Sequence, residues 1–270
     1  MPLTLPPSRQ WIDLTTFEAG ALPRETVVLL PVAAVEQHGP HLPIGTDALI
    51  NRGIVARMLE LLPKDVPFLV LPEQTAGTSQ EHIDFAGTIS FEPPHLMRIW
   101  SHVLVNVRRA GINRVIIFNS HGGQTGLLAP VAVDLRAKLG MFVAYASWFD
   151  AGYPEGLFSD EEIRHGMHGG AIETSLMLHL RPDLVRTDLM ADFHSKSVDL
   201  DVVAKQISAN PGDGRLGGFG WKAADLNSQG VTGDASVATA EAGRILLDHL
   251  AGALALLVQE MAKAVDTIEG

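Results

Sequence analysis

The chain has 270 residues, with 31 Asp and Glu against 20 Lys and Arg and a formal net charge of −11. That length buries a sizeable core without staples, and the absence of cysteine excludes a disulfide framework and a thiolate metal site, so any metal must be held by His, Asp or Glu. The acidic balance and the lack of Lys/Arg clusters argue against nucleic acid and anionic membrane and for a small-molecule partner.

The proline-rich entry 1–10 has no basic stretch leading into an apolar one, so it does not read as a secretory signal and a cytoplasmic protein is expected. Four apolar runs come next, at 26–35, 66–71, 114–119 and 141–147. They alternate with helical patterns at 48–62, 93–110 and 126–139, whose apolar residues recur at three-and-four spacing. Strand then helix, repeated, predicts an α/β fold: one three-layer α/β/α domain over residues 1–270 with a mainly parallel sheet of about four strands. Right-handed crossovers bring the strand ends to one edge. Residues 152–167 read as loop or short helix, 168–175 enter a helix that ends near Pro182, and 186–209 has no clear period. The glycine-rich stretch 211–221 reads equally as a mobile lid or a connector. The last helix starts near Ser236. Its apolar residues between 246 and 265 are interrupted by Asp248, His249, Gln259, Glu260 and Lys263, the pattern of an amphipathic helix covering the sheet rather than of a membrane span.

The polar residues just past each apolar run carry the chemistry. The first run leads into Glu36-Gln37-His38-Gly39-Pro40-His41-Leu42-Pro43 and on to Thr46-Asp47. Glu36 and His38 are two apart and share a face on extended backbone, while Gly39, Pro40 and Pro43 impose an irregular path that returns Asp47 toward them. That grouping reads as a metal site, against the plainer reading of a solvated His between two surface carboxylates. The second run leads into Thr78-Ser79-Gln80-Glu81-His82, the third into Ser120-His121-Gly122-Gly123-Gln124 and the fourth into Trp148-Phe149-Asp150. The four polar clusters are expected to converge on one crevice at the strand ends.

The first motif, Glu36 through Pro43 with Thr46-Asp47, resembles the creatininase (creatinine amidohydrolase) family, and further matches run from about Leu30 to about Gly243. The resemblance implies that Glu36, Asp47 and His121 hold one divalent ion, while His38, the same Asp47 and a further Glu hold a second. Creatininase itself carries a metal-binding Glu two residues after the His of the third motif. This chain has Gly123 there, and Glu173 is the carboxylate expected to fill the place. His168 matches the family's catalytic His, which protonates the departing nitrogen; a role in orienting a ligand is the alternative. Ser79, His82 and Trp148 fall on the substrate side, with His82 or Glu81 lining the pocket or supporting a ligand, a turn-capping role open for Glu81, and His41 supporting the ligands. His165 is expected in solvent. The implied activity is metal-dependent cleavage of a non-peptide C–N bond in a small cyclic or formylated amide, by a water bridging two ions. Zinc is expected first, with manganese or iron as alternatives. A homo-oligomer, a hexamer in many members, is implied as well. Relatives of this type also include deformylases and a peptide-processing protease, and a metal-binding sensor without catalysis is the reading from a different class.

Overall fold

The computed structural model describes the backbone of residues 5–210 and 214–269, with side chains to residue 263; positions 211–213 of the glycine-rich stretch and the first four residues of the proline-rich entry lie outside the described residues. A reciprocal capping box between Thr15 and Glu18 starts the short helix α1 (Thr16–Gly20). Then come β1 (Val27–Val32), α2 (Thr46–Leu61), β2 (Phe68–Val70), α3 (Pro93–Arg109), β3 (Arg114–Asn119), α4 (Thr125–Leu139) and β4 (Phe142–Ser147). The strands form one parallel sheet in the order β2-β1-β3-β4, with Val27 paired to Phe68 on one side and to Arg114 on the other, and Arg114 paired to Phe142. The strands and helices expected from the sequence are therefore present, in a mixed α/β fold with helices on both faces.

Parallel strands buried on both faces read as unbroken apolar runs, and the alternation of side chains then divides them. Val27 and Leu29 join Phe68, Ile116 and Phe118 in one core, whereas Val28, Leu30 and Val32 join Leu69, Val115 and Ile117 in the other. Pro31 lies past the last regular β1–β2 pair, Leu29 with Val70, where pairing is interrupted before it resumes at Gln74 and a missing N–H is tolerated. The chain leaves β1 toward β2 and later returns past it to β3. Right-handed crossovers then place α2 on one face and α3 and α4 on the other. The crevice opens at the carboxyl ends of β1 and β3, where the order reverses.

After β4 the chain forms α5 (Asp160–His165), α6 (Ala171–Leu180), β5 (Asp192–Phe193), α7 (Lys196–Val203), β6 (Ile207–Ser208), β7 (Gly217–Gly218), α8 (Ala223–Leu226), β8 (Gly233–Asp234) and α9 (Ala240–Glu269). The last helix starts four residues later than expected, because a 3-10 turn at Ala235–Val237, capped by the Asp234 side chain, intervenes. By length and composition the stretch Ala240–Lys263, with a mean hydropathy of 1.5 in its most apolar window, could cross a membrane. In the fold its stripe of Leu246, Leu250, Leu254 and Val258 is spent on the core against α2, α6 and the sheet. From residue 214 onward the glycine-rich stretch is tied down: Gly217–Gly218 pairs with Ile207–Ser208, Arg215 donates to the carbonyls of Ala204 and Ile207, and the Trp221 indole donates to Ala209 O.

Leu29 is wholly buried beneath α2 and α9, while Leu256 on the outer face of α9 is 56% exposed. Leu29→Ala is expected to lower the unfolding free energy by about 2–5 kcal/mol, and Leu256→Ala by less than about 0.5 kcal/mol, in urea titrations monitored by circular dichroism.

Candidate metal centre

Three pieces of irregular backbone carry the centre. After β1, Glu36 N–H donates to Ile44 O at 2.9 Å and the intervening loop closes on itself at His38 and Leu42. Gly39 turns that loop at φ +69°, pressed against Val231 where no side chain fits. The fold-back delivers Asp47 to the first turn of α2, where helix N–H groups favour a carboxylate. After β3, Asn119 clamps the turn: its Oδ1 accepts from His121 N–H at 3.0 Å, and its amide donates to His121 O at 2.7 Å and Ser147 Oγ at 3.0 Å. The third piece is the start of α6. Glu173 in its first turn accepts from Gly169 N–H at 2.7 Å.

The hydrogen bonds made by the outer ring nitrogens fix the tautomers. His38 Nδ1–H donates to Glu36 O at 3.1 Å, His121 Nε2–H to Thr78 O at 2.8 Å and His168 Nε2–H to Gln37 O at 2.7 Å. Each ring therefore has its other nitrogen facing inward, free to offer a lone pair once any proton there is displaced, the arrangement that metal-binding histidines adopt. His82 differs: its Nδ1 accepts from the Gln37 amide at 2.7 Å, so its Nε2–H points at Glu36 Oε1, 3.5 Å away. Gln37 is itself oriented by Gly39 N–H on its oxygen and Gly230 O on its nitrogen.

Around the inward nitrogens stand carboxylate oxygens. Asp47 Oδ1 lies 3.3 Å from His38 Nε2, and its Oδ2 lies 3.4 Å from His121 Nδ1. Glu36 Oε2 is 3.2 Å from His121 Nδ1, and Glu173 Oε2 is 3.7 Å from His38 Nε2. His168 Nδ1 is 3.5 Å from Glu36 Oε1, and its ring stacks between His38 and His82 with centroids 4.1 and 4.2 Å away. Glu36, His38, Asp47, His121, His168 and Glu173 thus meet in one buried cluster, and three of its atoms, Glu36 Oε2, His38 Nε2 and Asp47 Oδ2, are buried without a hydrogen-bond partner. Ligand atoms about 2.0–2.2 Å from one metal stand roughly 3.0–3.6 Å from each other. The donor set, its lone pairs and its spacing fit divalent cations, and Asp47 faces both halves of the cluster.

Electrostatics agree. Burial opposes a charge on His38, yet Asp47, Glu173 and Glu36 outweigh it and raise its pKa to about 9. His121 is raised against burial to about 10 by Glu36, Asp47 and Glu81. Glu173 is pushed up to about 7, by burial and then by Asp47 and Glu36, which outweigh the pull of His38. His82 is lowered to about 4 by burial, with His121 and His38 adding to it. A proton held this firmly between His121 and its carboxylates marks a place where positive charge is wanted.

On the outer side of the His121 ring, the fully buried Ser79 has its Oγ 3.4 Å from His121 Nε2. Glu81 Oε1 is 3.5 Å from the same nitrogen, and its side chain is 18% exposed. A methyl group on Gly123 would overlap Glu81 Oε1 and crowd the His121 ring, so the carboxyl of Glu81 fills the space that glycine leaves. Glu81 also walls an open cavity of about 520 Å³ together with Gln80, Asp84, Trp221 and Lys222.

Trp148 is buried on the side of the sheet that carries α2 and α6. It is 5% exposed, belongs to the core cluster that holds Ile172 and Leu246, and packs edge-to-face on Phe149. β4 turns directly into a 3-10 helix at Trp148–Ala151, where the Trp148 indole N–H is buried without a hydrogen-bond partner. His165 is paired with Ser197 and Asp201 rather than solvated. Sequence reasoning missed Gln37, whose place between two ionisable neighbours in the first motif was its only signal, whereas the expected alternative of His82 as support for a ligand agrees with its Nε2 facing Glu36.

The family profile for creatininase, described as creatinine amidohydrolase, matches residues 12–258. The chain belongs to the creatininase family. The mycofactocin precursor peptide peptidase of Mycolicibacterium smegmatis is 31% identical over 84% of this chain and 82% of its own. The creatinine amidohydrolase of Pseudomonas putida is 29% identical over 65% of this chain and 72% of its own. Two solved structures, a mutant creatininase of the Zn-Zn type and creatininase with Mn, superpose with TM-scores of 0.74 and 0.72 at 26% and 25% identity, each covering 94% of this chain and 98% of its own.

A cation entering this creatininase-family centre must displace the protons of His38 and His121. Because both are held below pH values of about 9 and about 10, Zn²⁺ affinity is expected to climb as pH rises from about 6 to about 8, by about tenfold per pH unit for each proton displaced. Calorimetric titrations in buffers of different ionisation enthalpy read both the affinity and the proton release.

Proposed function

We propose that the protein is a dinuclear metal hydrolase of amide C–N bonds, acting on a small cyclic or formylated amide. The observation that carries the reading is Asp47, whose two oxygens face the inward lone pairs of His38 and His121. Glu36, Asp47 and His121 would hold one ion, and His38, Asp47 and Glu173 the other. Zinc is the first choice, with manganese or iron as alternatives, since an all-N/O donor set discriminates poorly among them. Two such ions supply Lewis acidity to a carbonyl oxygen and a hydroxide source at neutral pH.

The chain's own groups do the rest. His168, tied at Nε2 to Gln37 O, presents Nδ1 to the crevice as the group that takes a proton from the attacking water and passes it to the departing nitrogen. His82 Nε2–H faces Glu36 Oε1 and holds that carboxylate in place. Ser79, buried beside His121, is taken as the residue that hydrogen-bonds substrate. A second reading, cleavage of a short peptide, is favoured by the longer match to the peptidase relative and by the open cavity beside Glu81, which leaves room for an extended chain. In either case the protein is taken to be cytoplasmic and homo-oligomeric, hexameric as in the family.

Asp47→Ala is expected to fold, by circular dichroism, and to lose turnover by about a thousandfold or more, as removal of metal electrostatics worth several kcal/mol requires. The assay is a panel of creatinine, N-formyl amines, cyclic ureides and short peptides monitored by mass spectrometry. Full activity in Asp47→Ala would falsify the scheme, and turnover confined to the peptides would favour the second reading.

A further inference from the structure

Outside the cluster, one buried carboxylate has no part in the scheme. Glu162 of α5 is 7% exposed, and its partners are backbone amides. Its Oε1 accepts from Ala171 N–H at 2.5 Å and its Oε2 accepts from Asp234 N–H at 2.9 Å. Gly166, Gly170 and Gly233 close around the carboxyl so tightly that a methyl on any of them would overlap it. Room has been made on three sides for one side chain.

The two amides belong to the segments that carry the second half of the centre. Ala171 opens α6, two residues before Glu173, and the turn ahead of it gives Gly169 N–H to Glu173 Oε2. Asp234 ends β8, two residues after Thr232, whose N–H donates to His168 O at 2.8 Å. One carboxylate therefore joins the segment that holds the His168 backbone to the helix start bearing Glu173. Buried amides left without an acceptor are expensive, so displacing this carboxylate moves the segments rather than leaving them in place.

We propose that Glu162 is a positioning residue, which sets Glu173 and His168 against His38 and so determines the affinity of the second metal position. The inference rests on the dinuclear reading. Metal binding settles it without a substrate. Chelator-stripped protein is titrated with Zn²⁺ by calorimetry and with Co²⁺ by visible absorption, for wild type, Glu162→Gln and the core control Leu254→Ala. Gln keeps the volume and one acceptor but turns an N–H toward an N–H. Wild type is expected to take two ions. Glu162→Gln is expected to take the first with wild-type affinity and the second at least about tenfold more weakly, in line with the loss of supporting contacts at metal ligands, with altered Co²⁺ bands for the second equivalent. Leu254→Ala is expected to keep both. Wild-type binding of both ions by Glu162→Gln, or an equal loss in Leu254→Ala, overturns the positioning role while leaving the hydrolase reading intact. Fewer than two ions in wild type overturns the dinuclear reading and this role with it. Should Glu162→Gln not fold, Gly166→Ala, which pushes the same carboxylate from the residue just past α5, is expected to weaken the second ion likewise, and wild-type binding there overturns the proposal.

Discussion

Asp47 stands in the first turn of α2 with one oxygen 3.3 Å from His38 and the other 3.4 Å from His121, and its Oδ2 accepts no hydrogen bond among the described residues. Glu36, Glu173 and Glu81 are gathered within reach of the same imidazoles. Carboxylates buried together repel one another and lack the water that would solvate them, so such a cluster persists only with positive charge between its members. Much of the architecture around the strand ends serves that requirement: two helix N-termini deliver Asp47 and Glu173, and the β1–β3 crevice holds them where a cation can enter.

Around that cluster lies a shell of backbone carbonyls. Glu36 O, Gln37 O and Thr78 O each take an N–H from a histidine, and because backbone cannot titrate, the inward lone pairs are fixed by the fold itself. Gln37 sets the opposite tautomer in His82, turning that ring's Nε2–H toward Glu36. The centre therefore divides its histidines by the partner each has on its outer side. Glycines keep the packing close, most sharply where Gly123 admits the Glu81 carboxyl beside His121.

Much of this was legible in the sequence, for physical reasons. Buried parallel strands announce themselves as continuous apolar runs, and β1 to β4 lie where those runs stand, with β1 stopping at Val32 because the chain turns into the Glu36 loop. Glu36, His38, Asp47 and His121 could be grouped because they sit at strand ends that the topology must bring together. For Trp148 the sequence position alone decides less, since the residue after a strand end can face the core as readily as the crevice. It could not find Glu162, whose partners are amides 9 and 72 positions away and leave no pattern in side-chain chemistry. The region 186–209 carried no clear period because its elements are two residues to two turns long, too short to repeat one.

The central claim is that one carboxylate joins two cation positions. It is tested most directly by growing crystals from protein reconstituted with Zn²⁺ and recording anomalous diffraction on both sides of the zinc edge. Two peaks per chain are predicted, about 3.5–4 Å apart as in other two-metal centres, one between Glu36, Asp47 and His121 and the other between His38, Asp47 and Glu173. A single peak, or two that do not share Asp47, would contradict the claim.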